Sequence, residues 1–420
     1  MAEDLHVTGE ERLSDKKDGT KVGSPGFLVA VTAVISVFAT LMFVYFINGG
    51  VVFLEKTPYG NVEAVLPVCE VITDISNEFY SHDGKTPSEE EMVNTAVKAV
   101  VDSLGDPYSR YFTAEEYADY YKSVSGRFEG LGIVLNAPDD KGCLISGVYD
   151  DSPASEAGLM TGDIITAVNG NPVAGTQFSY VTELLTGKEG EAVVLDILRG
   201  NEKLQITAYY GDVVVKSVEF KMIGGTGYVY INQFTDNTAD EFAKALADPQ
   251  MKNMDSLIVD LRNNPGGYLN AVVDVADAVL HEGIIVSTGN TLDDPDLEVF
   301  RAREGGISVP LVVLVNENSA SASEIFAAAI KENGAGTLIG MTTYGKGIVQ
   351  STGKMYTSDG YLKLTTSAYY TPNGNDIHKQ GVAPDVVVDL DESLKMYIGG
   401  EHLTQDKDTQ LQKALQWLGK

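Results

Sequence analysis

Three times over, a short apolar run is followed by a segment with helical spacing: Gly227–Ile231 then Ala239–Ala247, Ser256–Leu261 then Leu269–Leu280, and Pro310–Val315 then Ala322–Lys331. This strand–helix alternation predicts an α/β core with substantial parallel pairing, because neighbouring parallel strands need a crossover and a helix usually supplies it. The core is expected over residues 213–390. At 420 residues the chain exceeds one ordinary core, so further domains flank it. The fold class is therefore α/β within a mixed α+β multidomain chain.

Upstream, residues 123–212 change texture to short β-rich segments and Gly turns. Thr161-Gly162-Asp163-Ile164-Ile165 leads into a strand closed by Asn169-Gly170, a hairpin-turn dipeptide. Ala192–Leu198 and Leu204–Tyr209 read as further strands, with a helix near Tyr180–Leu185. The arrangement resembles a PDZ domain. That resemblance implies that Gly130-Leu131-Gly132-Ile133 is a carboxylate-binding loop. Its glycines let backbone N–H groups converge on a peptide's C-terminal carboxylate, and the following strand edge can accept the peptide as an added strand. Residues 49–122 show three- and four-residue apolar spacing through Val68, Val71, Ile72, Ile75 and Phe79, then through Met92, Ala96, Val97, Val100 and Val101, and are read as a helical collar. Residues 391–420 read as an amphipathic helical end.

Phe27 to Ile47 holds 21 residues without a charge, enough to cross a hydrocarbon core at about 1.5 Å per residue. Arg12, Lys16, Lys17 and Lys21 precede it, whereas only Lys56 falls in the twenty residues after Asn48. The positive-inside bias predicts a cytoplasmic tail over 1–26, a single transmembrane anchor over 27–48, and everything beyond outside the cytoplasm. A cleaved signal peptide is the rival, but Tyr45-Phe46-Ile47-Asn48 is a poor cleavage site. The formal charge of −30 argues against a nucleic-acid surface, which needs clustered Lys and Arg. Two cysteines, Cys69 and Cys143, are too few for a disulfide framework or a zinc site, and neither a metal nor a cofactor is expected.

Three segments carry chemistry. Asn316-Glu317-Asn318-Ser319-Ala320-Ser321-Ala322-Ser323-Glu324 joins a strand to a helix, so Ser321 sits beside unpaired helix-start N–H groups suited to an oxyanion. Ser321-x-x-Glu324 equally fits a capping box with no catalysis; the segment alone does not choose. Gly345-Lys346-Gly347-Ile348-Val349-Gln350 sets one lysine in an otherwise uncharged stretch. A lysine base must be neutral at working pH, and burial is the way to depress its pKa. Gln350, four positions on, shares a face with Lys346 and can hold the amine by a hydrogen bond. Asp260-Leu261-Arg262-Asn263-Asn264-Pro265-Gly266-Gly267 runs from a strand into a Gly loop and lacks phosphate-loop spacing.

Together with Ser103-Leu104-Gly105-Asp106-Pro107-Tyr108-Ser109, Tyr369-Tyr370-Thr371-Pro372 and Gly381-Val382-Ala383-Pro384-Asp385, these segments resemble the carboxyl-terminal processing (tail-specific) proteases. In that family nucleophile and base lie about 25 residues apart, and Lys346 follows Ser321 by 25, which selects Ser321 over Ser319 and Ser323. The resemblance implies Ser321 as nucleophile, Lys346 as general base, Gln350 as the residue positioning the lysine, and an oxyanion hole from Ala322 with Gly266 or Gly267. It further implies a crotonase/ClpP-like protease core, polypeptide substrates bound through their C-terminal tails, and admits a homodimer and a gating contact at Arg199. The collar motif, where Gly105 replaces a residue that more often has a side chain, is expected to lie outside the site. A Ser-His-Asp hydrolase and a non-catalytic scaffold that only binds peptide tails are the competing readings.

Overall fold

The computed structural model describes residues 62–399 and 403–420. The expected tail (1–26) and anchor (27–48) lie outside them; among the described residues no helix is long and apolar enough to cross a membrane. The chain divides into two compact units, one up to Val97 and one from Lys98 on. In the first, α1 (Leu66–Glu78) carries a proline in its opening turn, where an absent N–H costs nothing, and buries none of its residues. Helix α2 (Glu89–Asp102), with three glutamates at its positive end, runs across the boundary.

In the second unit the expected helical segment is interrupted. Strand β1 (Arg110–Phe112) intervenes, burying Tyr111 and Phe112; three residues are too few to show a period. Helix α3 (Ala114–Ser125) then starts on a capping box in which Thr113 Oγ1 accepts from Glu116 N–H (3.2 Å) and Glu116 accepts from Thr113 N–H (2.9 Å).

The β-rich domain hangs between two paired strands, β2 (Arg127–Gly130) and β9 (Gly211–Val214). Between them run β3 (Ile133–Leu135), β4 (Cys143–Val148), α4 (Pro153–Glu156), β5 (Ile164–Val168), β6 (Asn171–Pro172), α5 (Phe178–Leu184), β7 (Ala192–Arg199) and β8 (Glu202–Tyr209). The sheet order is β3-β4-β5-β7-β8, with β3 at an edge. Asn169 and Gly170 both adopt positive φ (47° and 78°), as the hairpin dipeptide requires. Alternate residues Val193, Leu195 and Ile197 of β7 are buried with Cys143, Ile145 and Ile165. Cys143 is a free thiol in this core; Cys69 is free and exposed. Arg199 ends β7. Its guanidinium grips the buried Asp163 (2.7 and 2.9 Å) and the Gly158 carbonyl (2.7 Å).

The remainder builds two sheets. The larger contains β10 (Val218–Ile223), β11 (Thr226–Ile231), β12 (Ser256–Asp260), β15 (Leu311–Val315), β16 (Thr337–Gly340) and β19 (Val386–Val387), side by side in chain order. From β11 to β19 every pairing is parallel. Every residue of β11, β12 and β15 is buried, because both faces are covered. On one face lie α6 (Thr238–Ala247), α7 (Leu269–Val279) and α8 (Ala322–Glu332). On the other lie Leu411, Ala414 and Leu415 of α10 (Thr409–Trp417). The smaller, antiparallel sheet contains β13 (Gly283–Gly289), β14 (Glu298–Ala302), β17 (Ile348–Lys354) and β18 (Tyr361–Tyr370), and recruits β1.

The expected continuous C-terminal helix is instead two short ones, α9 (Glu392–Lys395) and α10. Gly399 at φ 81° turns the chain after α9, and Asp408 restarts it by capping Leu411 N–H (3.0 Å). Asp408 also meets the buried Arg262 (both contacts 2.8 Å), whose guanidinium is shared with Asp260 (2.6–3.0 Å). This fully buried cluster fastens the C-terminal helix to the root of the Gly266-Gly267 loop.

Candidate active site

Where β15 ends, the chain turns through Asn316–Ser321 into α8. Three serines lie on that turn and the start of α8, and their environments differ. Ser319 and Ser323 are fully buried, and their hydroxyls are taken up by backbone, Ser319 donating to Leu261 O (2.8 Å) and Ser323 to Asn264 O (3.0 Å). Ser321 is half-buried and faces a cavity of about 640 Å³. Its φ of 55° and ψ of −112° are costly for a residue with a side chain. Contacts around it hold that geometry.

The same cavity takes in Lys346, which precedes β17, together with Gln350, Gly266, Gly267, Ala322 and the tyrosines of α3. Lys346 is half-buried, and its amine lies 4.9 Å from the centre of the Tyr108 ring. Burial, and secondarily the charge of Lys363, push its pKa below the ordinary lysine value; Glu324 and Asp106 act the other way.

Ser321 and Lys346 are gripped by the same two side chains. The wholly buried Glu324 carboxylate accepts from Ser321 N–H (2.8 Å), Lys346 N–H (2.8 Å), Gly345 N–H (2.6 Å) and the Thr343 hydroxyl (2.6 Å). From the other side the Tyr369 hydroxyl donates toward Ser321 O (3.2 Å) and Lys346 O. Burial and the neighbouring Glu324 and Asp376 carboxylates hold the Tyr369 pKa well above the usual phenol range, so it stays a donor.

The Gly loop arrives through Asn264, whose carbonyl accepts from Ala320 N–H (3.0 Å) and whose side chain accepts from Gly266 N–H (2.8 Å). Gly266 packs so closely on the serine turn that a Cβ there would lie 2.6 Å from Ala320 O and 2.8 Å from Ser321 Cβ. Gly267 is exposed. Among the described residues neither its N–H nor that of Ala322 has an acceptor. Ala322 opens α8, where unpaired N–H groups are the rule.

In the β-rich domain, Gly132 sits at φ 80° with its Cα against Ser152, so a side chain does not fit. The Leu131 and Gly132 carbonyls accept from Ala154 N–H (2.8 Å) and Tyr149 N–H (2.9 Å), whereas their own N–H groups have no acceptor among the described residues. Ile133 begins the edge strand β3. Leu131 shares an apolar cluster with Val181 of α5.

Against this geometry, residues 225–388 match the family model for peptidase family S41, and residues 144–199 match the PDZ domain model. Over 363 residues the chain is 32% identical to a CtpA-like serine protease of Staphylococcus aureus (strain bovine RF122 / ET3-1), covering 86% of this chain and 71% of that one. The chain belongs to peptidase family S41. It is a CtpA-like S41 serine protease with a PDZ domain. A CtpA-like serine protease of Staphylococcus epidermidis (strain ATCC 12228 / FDA PCI 1200) is 34% identical over 364 residues, with the same coverages of 86% and 71%. Among solved structures, an S41 protease from Bacteroides fragilis shares the fold at 18% identity and TM-score 0.50, covering 84% of this chain and 96% of that one. The photosystem II D1 C-terminal processing protease matches at 26% identity and TM-score 0.45, covering 76% and 88%.

In this S41 protease Ser321, Lys346, Gln350, Ala322, Gly266 and Gly267 line one cavity. Among the described residues no histidine does, which removes support from a Ser-His-Asp arrangement. Gln350 faces the same cavity as Lys346, and its amide donates to Ile348 O at 3.3 Å. The collar motif was misplaced by sequence reasoning: Tyr108 stands over the Lys346 amine, and Asp106 contributes to its field. Gly105 adopts φ 64°, which accounts for the glycine there. Tyr369 was within reach through the motif that contains it. Lys363 had no sequence signal, because its approach depends on pairing of β18 with β1 and β17.

Proposed function

We propose that this protease hydrolyses unfolded or C-terminally exposed polypeptides through an acyl-enzyme on Ser321, outside the cytoplasm and anchored by residues 27–48. Neutral Lys346 takes the Ser321 hydroxyl proton as Oγ attacks the scissile carbonyl, and returns it to the leaving amine. The tetrahedral oxyanion is received by the N–H groups of Ala322 and Gly267. Gly267 is preferred over Gly266 because the Gly266 N–H is already bound to Asn264. Lys346 then activates the water that frees Ser321. Gln350 is assigned the positioning of the lysine amine, and Gly130–Ile133 with the β3 edge the capture of the substrate's C-terminus. The observation that carries this reading is a strained Ser321 that lines one cavity with a lysine whose pKa is pushed down by burial. Casein digestion by the full-length chain tests it, with loss of digestion in Ser321→Ala as the expected result.

A second prediction concerns the glycine loop. A methyl at Gly266 is forced against Ala320 O and Ser321 Cβ, at a φ of 101° that disfavours any side chain. Gly266→Ala is expected to lower kcat by about 10²-fold, the size of losing one oxyanion donor. An unchanged casein rate removes the oxyanion assignment.

A further inference from the structure

The charged side chains lining the cavity are Lys346, Lys363 and Asp236. If Lys346 works as a neutral base, Lys363 is the remaining cation in that lining. It is half-buried, with its amine 4.6 Å from the centre of the Tyr120 ring, and among the described residues it forms no ion pair. Arg110 beside it repels, and the attraction of Asp106 does not reach pairing distance. That carboxylate is engaged by the Ser109 hydroxyl (2.6 Å) and Tyr108 N–H (3.1 Å). In a chain of net charge −30, a half-buried lysine left without a carboxylate is conspicuous, since such a charge needs a counter-charge once water is excluded.

Its place in the sheet says what could supply one. Gln350 and Thr352 of β17 line the cavity, and the β17–β18 register sets Thr352 opposite Lys363. This face of β17 leads away from Lys346 and ends beside Lys363, so an extended chain lying along it brings a group a few residues from its scissile bond to that amine.

We propose that Lys363 is an anion subsite of the cleft that receives a carboxylate of the bound polypeptide, either an acidic side chain or the chain's own C-terminus. The proposal rests on the hydrolytic reading of Ser321 and Lys346 and adds the substrate chemistry. A charge-assisted hydrogen bond in a partly dry site is expected to favour the carboxylate substrate about tenfold or more. Burial and Arg110 push the Lys363 pKa down, and an arriving carboxylate reverses that shift, so binding and protonation reinforce each other.

The test uses the full-length chain and matched peptides of one cleavable sequence. One series exchanges Glu for Gln at successive positions around the scissile bond. The other exchanges a free C-terminal carboxylate for a carboxamide. Wild type is expected to favour the carboxylate member, and the series whose preference depends on Lys363 identifies the source. Lys363→Met is expected to lower the wild-type kcat/KM ratio about tenfold, and Lys363→Arg to keep it; the PDZ contribution to the C-terminal series is the same in every variant and cancels between variants. The same ratio is read as Kd on Ser321→Ala, where no hydrolysis is needed. No carboxylate preference in wild type, or a preference that is undiminished in Lys363→Met, overturns the proposal. So does an equal fall in both members' rates that leaves their ratio unchanged, which leaves Lys363 only its effect on Lys346. Cleavage that persists in Ser321→Ala defeats the hydrolytic reading alone and leaves the Kd ratio to decide on Lys363.

Discussion

Ser321→Ala and Lys346→Ala are each expected to lower casein cleavage by at least about 10³-fold, the scale seen when a nucleophile or its base is removed. Both variants are expected to stay folded. The Ser321 and Lys346 contacts to Glu324 and Tyr369 are made by backbone N–H and C=O groups, which the substitutions retain. Lys346→Arg is expected to be as inactive as Lys346→Ala, since a guanidinium does not give up its proton in the working range. The pH dependence has a definite sign. The Lys346 pKa is pushed down, first by burial, so its neutral, competent form is reached at lower pH than for an exposed lysine, and kcat/KM rises with pH through that lowered value. Stability follows the same direction. Between the lowered folded pKa and the ordinary unfolded one, the unfolded chain binds more protons, so the folded state gains stability as pH rises across that window. Lys346→Ala is expected to lose this pH-dependent component, read by denaturant unfolding at several pH values. A wild-type rate in either alanine variant refutes the dyad.

The strand–helix alternation of the core was legible because strands buried on both faces declare themselves without reference to distant residues: β11, β12 and β15 were each placed to within a residue or so. The serine was legible as a candidate but its two readings were not alternatives. Ser321 N–H does return to Glu324 as a capping box requires, and the same carboxylate reaches across to Gly345 and Lys346. Local spacing cannot show the second half of that contact. Nor can it show Tyr108 at the lysine, which depends on the chain between α2 and β1 folding back onto a segment far along the sequence. The emptiness of charge around Lys346 in sequence was misleading for the same reason, since Glu324, Asp106 and Lys363 all reach it through space.

Glu324→Gln is expected to be nearly as damaging as loss of the lysine, although Glu324 is buried beneath Ser321 and Lys346. Its carboxylate meets four donors and offers only acceptors in return. An amide keeps one acceptor oxygen and turns an NH₂ group toward donors, leaving buried N–H groups unpaired at about 1–3 kcal/mol each. Ser321, already at a costly φ, loses the contact that holds its N–H, and Lys346 loses the same anchor. Cleavage is expected to fall by about 10²-fold, as when reacting groups are misplaced by around an ångström, with unfolding shifted to lower denaturant. A purely structural role stops there. A positioning and electrostatic role makes a further demand, because the negative charge of Glu324 holds the Lys346 pKa higher than burial alone sets it. Neutralising Glu324 removes that support, so the residual activity of Glu324→Gln must rise at lower pH than in wild type, while Glu324→Asp keeps the charge and the wild-type pH profile. A pH–rate curve unmoved by Glu324→Gln reduces the residue to a helix cap.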